Sequence, residues 1–388
     1  MPVTLGSTRL LASGKLKGRK VGIVSNPASV DATFAHITDM LTQTPHVTLG
    51  AIFGPQHGFR SDVQDNMIET PHGNDGRRQV PVFSLYSETR QPTGDMLRHV
   101  DVMVVDLQDI GARIYTYIYT MANCLRACAK HGVDIIVCDR PNPIGGLDVE
   151  GPMLVRGNES FVGQFPIPMR HGMTIGELAR FFNDYFEIKA PLEVVDMEGW
   201  SRSMYFDQTG LPFVMPSPNI PTLDSAIVYP GTVLFEGTNA SEARGTTRPF
   251  ELVGAPWVDA EVFAQSMNAR RLPGVHFRPA VFEPTFQKQA KQTCGGCQIH
   301  VLDRQAFKPV LTGVALIDAI KAAGPKDFAW RQPPYEYEHD KEPIDILAGS
   351  PALRTAIDMG KRAEDLVPIW ESEGRPFEKI RAEFLSYH

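Results

Sequence analysis

Gln56, His57 and Arg60 lie within five residues of one another in the stretch FGPQHGFR (53–60), directly after an apolar run. A turn at the end of a strand needs the glycine and the proline, but it needs neither an amide nor an imidazole nor a guanidinium. An amide offers a paired donor and acceptor, and an imidazole titrates close to neutral pH. We therefore predict that this stretch contributes to a binding or catalytic site.

Three further apolar runs also end in polar residues. The four sets are Asn26; Gln56 with His57; Asp106, Gln108 and Asp109; and Asp139, Arg140 and Asn142. Parallel strands share a direction, so their carboxyl ends line one edge of the sheet, where open α/β sheets bind ligands. Loops are polar in general, which accounts for one or two such residues but not for four matched sets. We therefore expect these side chains to share one site.

A second group of charged residues lies in the stretch FEGTNASEARGTTRPFE (235–251). It contains Glu236, Glu242, Arg244 and Arg248. Each glutamate taken singly is equally well interpreted as a solvated loop charge. Carboxylates, amides, arginines and tyrosines together are, however, the residue set of a carbohydrate-processing cleft. Glycoside hydrolysis requires a proton donor to the leaving oxygen and a second group that guides water or stabilises the oxocarbenium ion. The preceding run YPGTVLF (229–235) is predicted as a strand that opens onto the same edge.

Motifs for other chemistries are missing from the sequence. No G-x-G-x-x-G follows the first strand, and neither G-x-x-x-x-G-K-[ST] nor G-x-S-x-G occurs, which argues against dinucleotide, P-loop and serine-hydrolase sites. CGGC (294–297) lacks the second pair of ligands that a structural zinc site needs. A metal would have to be assembled across strands from His57, Asp106 and Asp139, and we expect neither a metal nor a cofactor.

The elements that must position these residues read as an α/β fold. Strands are predicted over 20–26, 47–54, 100–109, 133–143 and 192–200, with helical patterns over 118–129 and after the capping-box pair Thr174 and Glu177. This alternation indicates βαβ units in a Rossmann-like, mostly parallel sheet. Beyond residue 250 two strand patterns, GVHFRPAVFEPTF and CGGCQIHVLD, precede a helix over 309–324. We predict a catalytic domain over 1–250 and a smaller α+β domain over 251–388, with an irregular functional segment over 212–256.

The composition limits which binding partners and which cellular compartment are expected for this protein. The 388 residues carry a formal net charge of −7, with 43% hydrophobic and 21% charged residues, which is ordinary for a soluble globular protein. The acidic balance argues against nucleic acid or membrane as the main partner, and no apolar run approaches the ~20 residues of a transmembrane helix. The start MPVTLGSTRL lacks a signal pattern, so we expect a cytoplasmic protein, or a periplasmic or secreted one if a signal has been removed. The five cysteines are expected to be reduced thiols.

Ten stretches between residues 54 and 301 carry a resemblance that runs from about residue 16 to the C-terminus. They are GPQHGFR, DLQDIGARIYTY, DRPNPIGG, VEGPML, FPIPMRHGMTIGELA, PSPNIPTL, YPGTVLFEGTN, RGTTRPFE, GAPW and CGGCQIHV. Together they resemble the DUF1343 family, the exo-β-N-acetylmuramidases of glycoside hydrolase family 171 known as NamZ. The resemblance implies a Rossmann-like domain, a smaller C-terminal domain and an active-site cleft between them. It also implies release of a terminal N-acetylmuramic acid from the non-reducing end of peptidoglycan fragments, without a cofactor.

One departure from the family concerns the general acid. Many members read Pro-Glu-His-Gly where this chain has Pro-Gln-His-Gly at 55–58. A glutamine does not donate a proton as an acid does, so Gln56 is predicted to bind a sugar hydroxyl or the acetamido group instead.

Three interpretations of the general acid remain open. Glu236 or Glu242 donates the proton, with its pKa raised by burial in the cleft. Alternatively, His57 donates it, oriented by Asp62 or Asp109. In the third reading the chain binds the sugar without cleaving it. The 2-acetamido group could also act as an internal nucleophile, with Asp109 as its orienting carboxylate.

The lactyl carboxylate of N-acetylmuramic acid calls for an arginine fork in an acidic protein. The candidates are Arg60, Arg113, Arg140, Arg244 and Arg248. Further predicted substrate contacts are Gln56, Asp106, Tyr117, Asp139, Asn142, Asn219 and Asn239. The expected partner is a muramyl-glucosamine fragment, and a monomer and a homodimer are both compatible with the sequence. The alternative function is a non-catalytic muropeptide-binding or sensing protein that retains the sugar pocket.

Overall fold

The apolar runs of the N-terminal half form the central sheet of the computed structural model, which describes residues 2–65 and 67–388. The strands in chain order are β1 (Lys20–Ser25), β2 (Thr48–Gly54), β3 (Gly73–Asp75), β4 (Val80–Ser84), β5 (Val102–Asp106), β6 (Asp134–Cys138), β7 (Glu150–Met153), β8 (Pro168–Arg170), β9 (Leu192–Val195), β10 (Leu252–Ala255), β11 (Val275–Phe282) and β12 (Cys294–Val301). The large sheet has the order β3-β4-β2-β1-β5-β6-β9, and each pair of neighbours is parallel except β3 and β4. The predicted mostly parallel sheet is confirmed.

Helices cover both faces of this sheet. In chain order, the helices of the described residues are α1 (Gly6–Ala12), α2 (Ile37–Gln43), α3 (Gly94–Leu97), α4 (Tyr117–His131), α5 (Ile175–Asp184), α6 (Leu223–Thr232), α7 (Ala260–Ala269), α8 (Pro309–Ala323), α9 (Pro343–Ala348), α10 (Ala352–Asp358) and α11 (Ala363–Arg381). Leu10 of α1 and Ile37 of α2 pack on one face, whereas α4 and α5 pack on the other. Strands covered on both sides read as continuous apolar runs, which is why β5 and β6 are so clear in the sequence. In the described part of the chain, no helix combines the length and the apolar character that a membrane crossing requires.

The C-terminal part forms a smaller α+β unit, as predicted. Its antiparallel sheet has the order β10-β12-β11, with α7 and α8 packed near it. Buried apolar residues of α8 and α11 belong to the same cluster as those of α4 and α5. The two parts of the chain therefore share a continuous core.

One predicted strand is helical. YPGTVLF (229–235) lies at the end of α6 and in the 3₁₀ turn Val233–Gly237 that follows it, so 212–256 is also less irregular than predicted. The reason is tertiary, because a Cβ atom on Gly231 would lie 1.9 Å from the carbonyl oxygen of Pro309. The missing side chain lets α6 cross directly over the start of α8. This crossing sets the position of the 3₁₀ turn, which carries Glu236.

Candidate active site

A pocket opens at the carboxyl edge of the large sheet, where Gln56 and His57 follow β2. Residues 114–117, which lead into α4, form a second wall, and side chains from the 217–250 region form a third. The turn at 335–336 closes the pocket. The predicted site residues that line it are Gln56, His57, Tyr117, Asn219, Glu236 and Arg244. Residues up to 280 positions apart in the sequence thus line a single pocket.

Glu236 is held from both sides of its carboxylate. The Arg244 guanidinium lies 2.7 Å from Oε1, and the Tyr335 hydroxyl donates to Oε2 at 2.7 Å. Only 3% of the Glu236 surface is exposed, so both contacts are shielded from water. Charge-assisted bonds of this kind fix the orientation of a carboxylate. Glu236 is therefore presented to the pocket in a defined geometry.

Glu242 lies on the far side of Arg244 and does not line the pocket. Its Oε2 is 2.6 Å from the Lys288 ammonium, and its Oε1 is 3.5 Å from Arg244 Nη1. Burial opposes ionisation, but these two cations outweigh it and hold the pKa of Glu242 below its ordinary value. Glu242 is thus a fixed negative charge rather than a proton donor.

Glu336 is a second carboxyl group inside the pocket, and it was not among the predicted residues. The Tyr86 hydroxyl donates to its Oε2 at 3.0 Å, and Gln56 Nε2 donates to its Oε1 at 3.4 Å. Burial, with the nearby charge of Glu236, raises the pKa of Glu336 to about 7, although the Tyr86 hydrogen bond opposes this rise. Thr116 donates its hydroxyl to Gln56 Oε1 at 2.7 Å and so fixes the amide that contacts Glu336. Near neutral pH this carboxyl group therefore holds a transferable proton.

The backbone around Glu336 is strained. Glu336 and Tyr337 have φ values of 45° and 69°, in the left-handed region that is unfavourable for such side chains. The turn is closed by two hydrogen bonds of 2.9 Å between the backbones of Tyr335 and Glu338. Residues held in such conformations cluster at active sites and ligand-binding sites. In the sequence PPYEYEHD (333–340), the only local signal is a glutamate between two tyrosines after a pair of prolines.

His57 is a neutral side chain in this pocket. Burial lowers its pKa to about 4, and the charge of Arg244 adds to this effect, whereas the hydrogen bond to Val63 opposes it. Its Nδ1 lies 2.8 Å from the Val63 carbonyl oxygen and therefore carries the ring proton. Above pH 4 the imidazole has no second proton to donate.

Comparison with known protein families identifies the family of this chain. The family model described as Exo-beta-N-acetylmuramidase NamZ, N-terminal, matches residues 21–224, and the corresponding C-terminal model matches residues 227–387. The chain belongs to the NamZ family. The resemblance recognised in the sequence is thereby confirmed.

Relatives of this NamZ-family chain include one curated protein and two crystal structures. Peptidoglycan beta-N-acetylmuramidase NamZ of Bacillus subtilis (strain 168) is 46% identical over 373 residues, which cover 96% of this chain and 88% of that protein. A DUF1343 family protein from Bacteroides fragilis NCTC 9343 has a TM-score of 0.90 and 35% identity. A second one from the same organism has a TM-score of 0.77 and 28% identity. Each structure matches 100% of this chain and 99% of its own.

Four other residues predicted for the NamZ-family site lie in buried contacts below the sheet edge. Arg140 Nε is 2.6 Å from Asp106 Oδ1, and this buried ion pair joins the ends of β5 and β6. Asp139 accepts hydrogen bonds from the Thr174 hydroxyl at 2.7 Å and the Tyr387 hydroxyl at 2.6 Å, which tie β6 to α5 and to the C-terminus. A fourth side chain, Asn142, donates to the backbone carbonyl of Met173 at 3.0 Å.

Asp109 and Arg113 are also buried outside the pocket lining. Asp109 Oδ2 accepts the Gly111 N–H at 2.7 Å, and burial raises the pKa of Asp109 to about 7 although backbone hydrogen bonds oppose this. The Arg113 guanidinium donates to three backbone carbonyl oxygens. These contacts hold the loop after β5, and the residues that directly follow it, 114–117, line the pocket.

The remaining predicted residues lie farther out. Arg60 lines a neighbouring cavity beside the ends of β2 and β4, and Asn239 bonds the backbone of residues 327–329. Arg248 is half exposed and lies 3.0 Å from Glu251. Of the five predicted arginines, all within the described residues, Arg244 alone lines the pocket.

Proposed function

We propose that this chain is an exo-β-N-acetylmuramidase that releases terminal N-acetylmuramic acid from the non-reducing end of peptidoglycan fragments. Membership of the NamZ family supports this proposal, as does the name of the Bacillus subtilis relative. The observation that carries it is the pair of buried glutamates, Glu236 and Glu336, in one pocket at the sheet edge. Two carboxyl groups across a sugar site are what most glycoside hydrolases use. Because the pocket walls come from both sides of residue 250, they fit a cleft between domains 1–250 and 251–388.

We assign the general acid to Glu336. A general acid works best when its pKa lies near the operating pH, and the pKa of Glu336 is about 7. Two of the donors predicted from the sequence fit this role less well, because cations keep Glu242 ionised and His57 is neutral above about pH 4. Gln56 keeps the role predicted from the sequence, that of a polar ligand, and it also orients Glu336 through its amide.

Glu236 takes the second carboxylate role in this proposal. Tyr335 and Arg244 hold its two oxygens, so its negative charge is fixed before the substrate arrives. Such preorganised charge stabilises the positive charge that develops at the anomeric carbon without reorganisation during the reaction. Glu236 therefore stabilises the oxocarbenium-like transition state.

Arg244 and Asn219 are assigned to the distinguishing groups of the sugar. Arg244 is the predicted arginine that lines the pocket, so it is the candidate for the lactyl carboxylate. Asn219 is buried, and its Oδ1 has no hydrogen-bond partner among the described residues. A buried acceptor without a partner is costly, and the N–H of an acetamido group would satisfy it. This pair would select an acetylated sugar that carries a carboxylate.

The proposal is tested by incubating the purified protein with a muramyl-glucosamine disaccharide between about pH 5 and pH 8 and measuring free N-acetylmuramic acid by mass spectrometry. Glu336→Gln, purified in the same way, controls for a contaminating hydrolase. We expect product with the wild-type protein and far less with the variant. If the wild-type protein binds the disaccharide but releases no sugar, the chain is the muropeptide-binding protein of the alternative reading.

A further inference from the structure

An outer groove adjoins the pocket on the other side of Glu336. It is lined by Glu69, Glu88, Arg90, Phe161, Tyr337 and Glu338, together with Glu336 itself. Glu336 therefore forms part of the wall of both the pocket and the outer groove. If Glu336 donates the proton to the leaving oxygen, the bond that breaks lies at this junction. One sugar then occupies the pocket, and its neighbour extends into the outer groove.

The outer groove has an aromatic surface. Tyr337 is 46% exposed, and its ring centroid lies 6.0 Å from that of Tyr86 and 6.5 Å from that of Phe161. The Arg90 guanidinium lies 4.4 Å from the ring centroids of both Tyr86 and Tyr337. Arg90 lies over one face of the Tyr337 ring, and the exposed part of this large aromatic side chain offers an apolar surface against which the C–H face of a pyranose ring can stack.

The backbone explains why Tyr337 points away from the pocket. Glu336 and Tyr337 are consecutive residues in a tight turn, and both have positive φ values. The same turn places the Glu336 carboxyl group in the pocket and the Tyr337 side chain in the outer groove. Two consecutive positive φ values are what a tight two-residue turn requires, and this turn fixes the positions of both side chains.

The charges of the outer groove favour an uncharged ligand. Glu69, Glu88 and Glu338 contribute carboxylates to its lining. Arg90 is the one cation among the lining residues, all of which the structure describes, and it is already 3.1 Å from Glu69 Oε1. Three carboxylates therefore face one arginine, and an anionic sugar would meet an excess of negative charge.

We propose that the outer groove binds the leaving sugar, an uncharged N-acetylhexosamine, with its ring stacked on Tyr337. This inference rests on the proposed function and adds the residues that select the leaving group. Tyr337 is a binding residue here, so its removal is expected to weaken binding of the leaving sugar while the chemistry in the pocket remains.

The test compares two substrates that share the muramic acid but differ in the leaving group. One is the muramyl-glucosamine disaccharide, and the other is β-N-acetylmuramyl fluoride, whose leaving group fills no sugar site and needs no proton. We expect Tyr337→Ala to lower kcat/KM for the disaccharide about tenfold and for the fluoride no more than about twofold. Tyr185→Ala is the matched control, since Tyr185 is 49% exposed and lies after α5, outside both cavities, and it should leave both rates unchanged.

The outcomes separate this inference from the proposed function. If the wild-type protein cleaves both substrates but Tyr337→Ala loses equal activity on both, or on neither, the outer groove is not the site of the leaving sugar. If the wild-type protein cleaves neither substrate, the proposed function itself is wrong and this inference fails with it. The preference of the outer groove for an uncharged sugar is tested separately by inhibition. N-acetylglucosamine should inhibit the disaccharide reaction at least about tenfold more strongly than N-acetylglucosamine 6-phosphate. Equal inhibition by the two would refute the preference for an uncharged sugar.

Discussion

Replacing Glu336 with glutamine removes the proton assigned to the leaving oxygen while preserving the size of the side chain. General acid catalysis contributes roughly 10²- to 10⁴-fold to such reactions, so kcat on the muramyl-glucosamine disaccharide should fall by this factor. The fluoride substrate needs no proton for departure of its leaving group, and its rate should fall much less. In the wild-type protein, activity on the disaccharide should decline as pH rises through about 7, because Glu336 then loses its proton.

The pH dependence of the unfolding free energy provides an independent test of the Glu336→Gln substitution. The pKa of Glu336 is about 7 in the folded protein, whereas the ordinary value for a glutamate is 4.5. Ionising this carboxyl group therefore costs about 3 kcal/mol more in the folded protein than in the unfolded chain. The folded state therefore binds this proton more tightly, and the stability it contributes is fully present below pH 4.5 and lost as pH rises through about 7. Glutamine does not ionise and avoids this loss.

Urea unfolding at about pH 5 and pH 8 measures the effect. Relative to the wild-type protein, the unfolding free energy of Glu336→Gln should rise between these two conditions by up to about 3 kcal/mol. A variant that is inactive yet gains relative stability at pH 8 has lost chemistry and not its fold. The assignment is refuted if Glu336→Gln keeps the wild-type rate on the disaccharide, or if it loses the same factor on the fluoride.

Three further predictions concern the neighbours of Glu336. Glu236→Gln removes a negative charge that raises the pKa of Glu336, so besides lowering kcat it should move the alkaline decline of the pH–rate profile to lower pH. Gln56→Glu places a second carboxyl group about 3.4 Å from Glu336, and the same decline should move to higher pH; an unchanged profile in both variants would contradict the coupling. Arg244→Ala leaves Glu236 and Glu242 without this buried cation and should reduce the unfolding free energy by about 3–5 kcal/mol in urea, whereas Arg248→Ala, at a half-exposed pair, should cost less than about 1 kcal/mol.

Local patterns in the sequence were sufficient for most of the fold. β5 and β6 are short, continuous apolar runs, and this pattern arises wherever a strand is covered on both faces. The capping box at Thr174 forms as predicted, because its two hydrogen bonds involve residues only three positions apart. The strand predicted for YPGTVLF (229–235) was wrong for the opposite reason. The close approach of Gly231 to Pro309 on a helix distant in the sequence overrode the local preference for a strand.

The same distinction between local sequence patterns and tertiary contacts applies to the candidate site. The sequence alone determined that Gln56 and His57 follow a strand of a parallel sheet. Parallel strands place their carboxyl ends at one edge of the sheet, so the position of these two residues at that edge could be predicted. Glu236 and Glu242 look equivalent in the sequence, and only the fold separates them, by giving Glu242 a salt bridge to Lys288 and turning Glu236 toward the pocket. Glu336 lies 280 positions from Gln56, and its local sequence, a glutamate between two tyrosines, does not connect it with the strand ends. Its place in the pocket and its raised pKa were decided by the tertiary structure, because both depend on which distant groups surround the carboxyl group and exclude water from it.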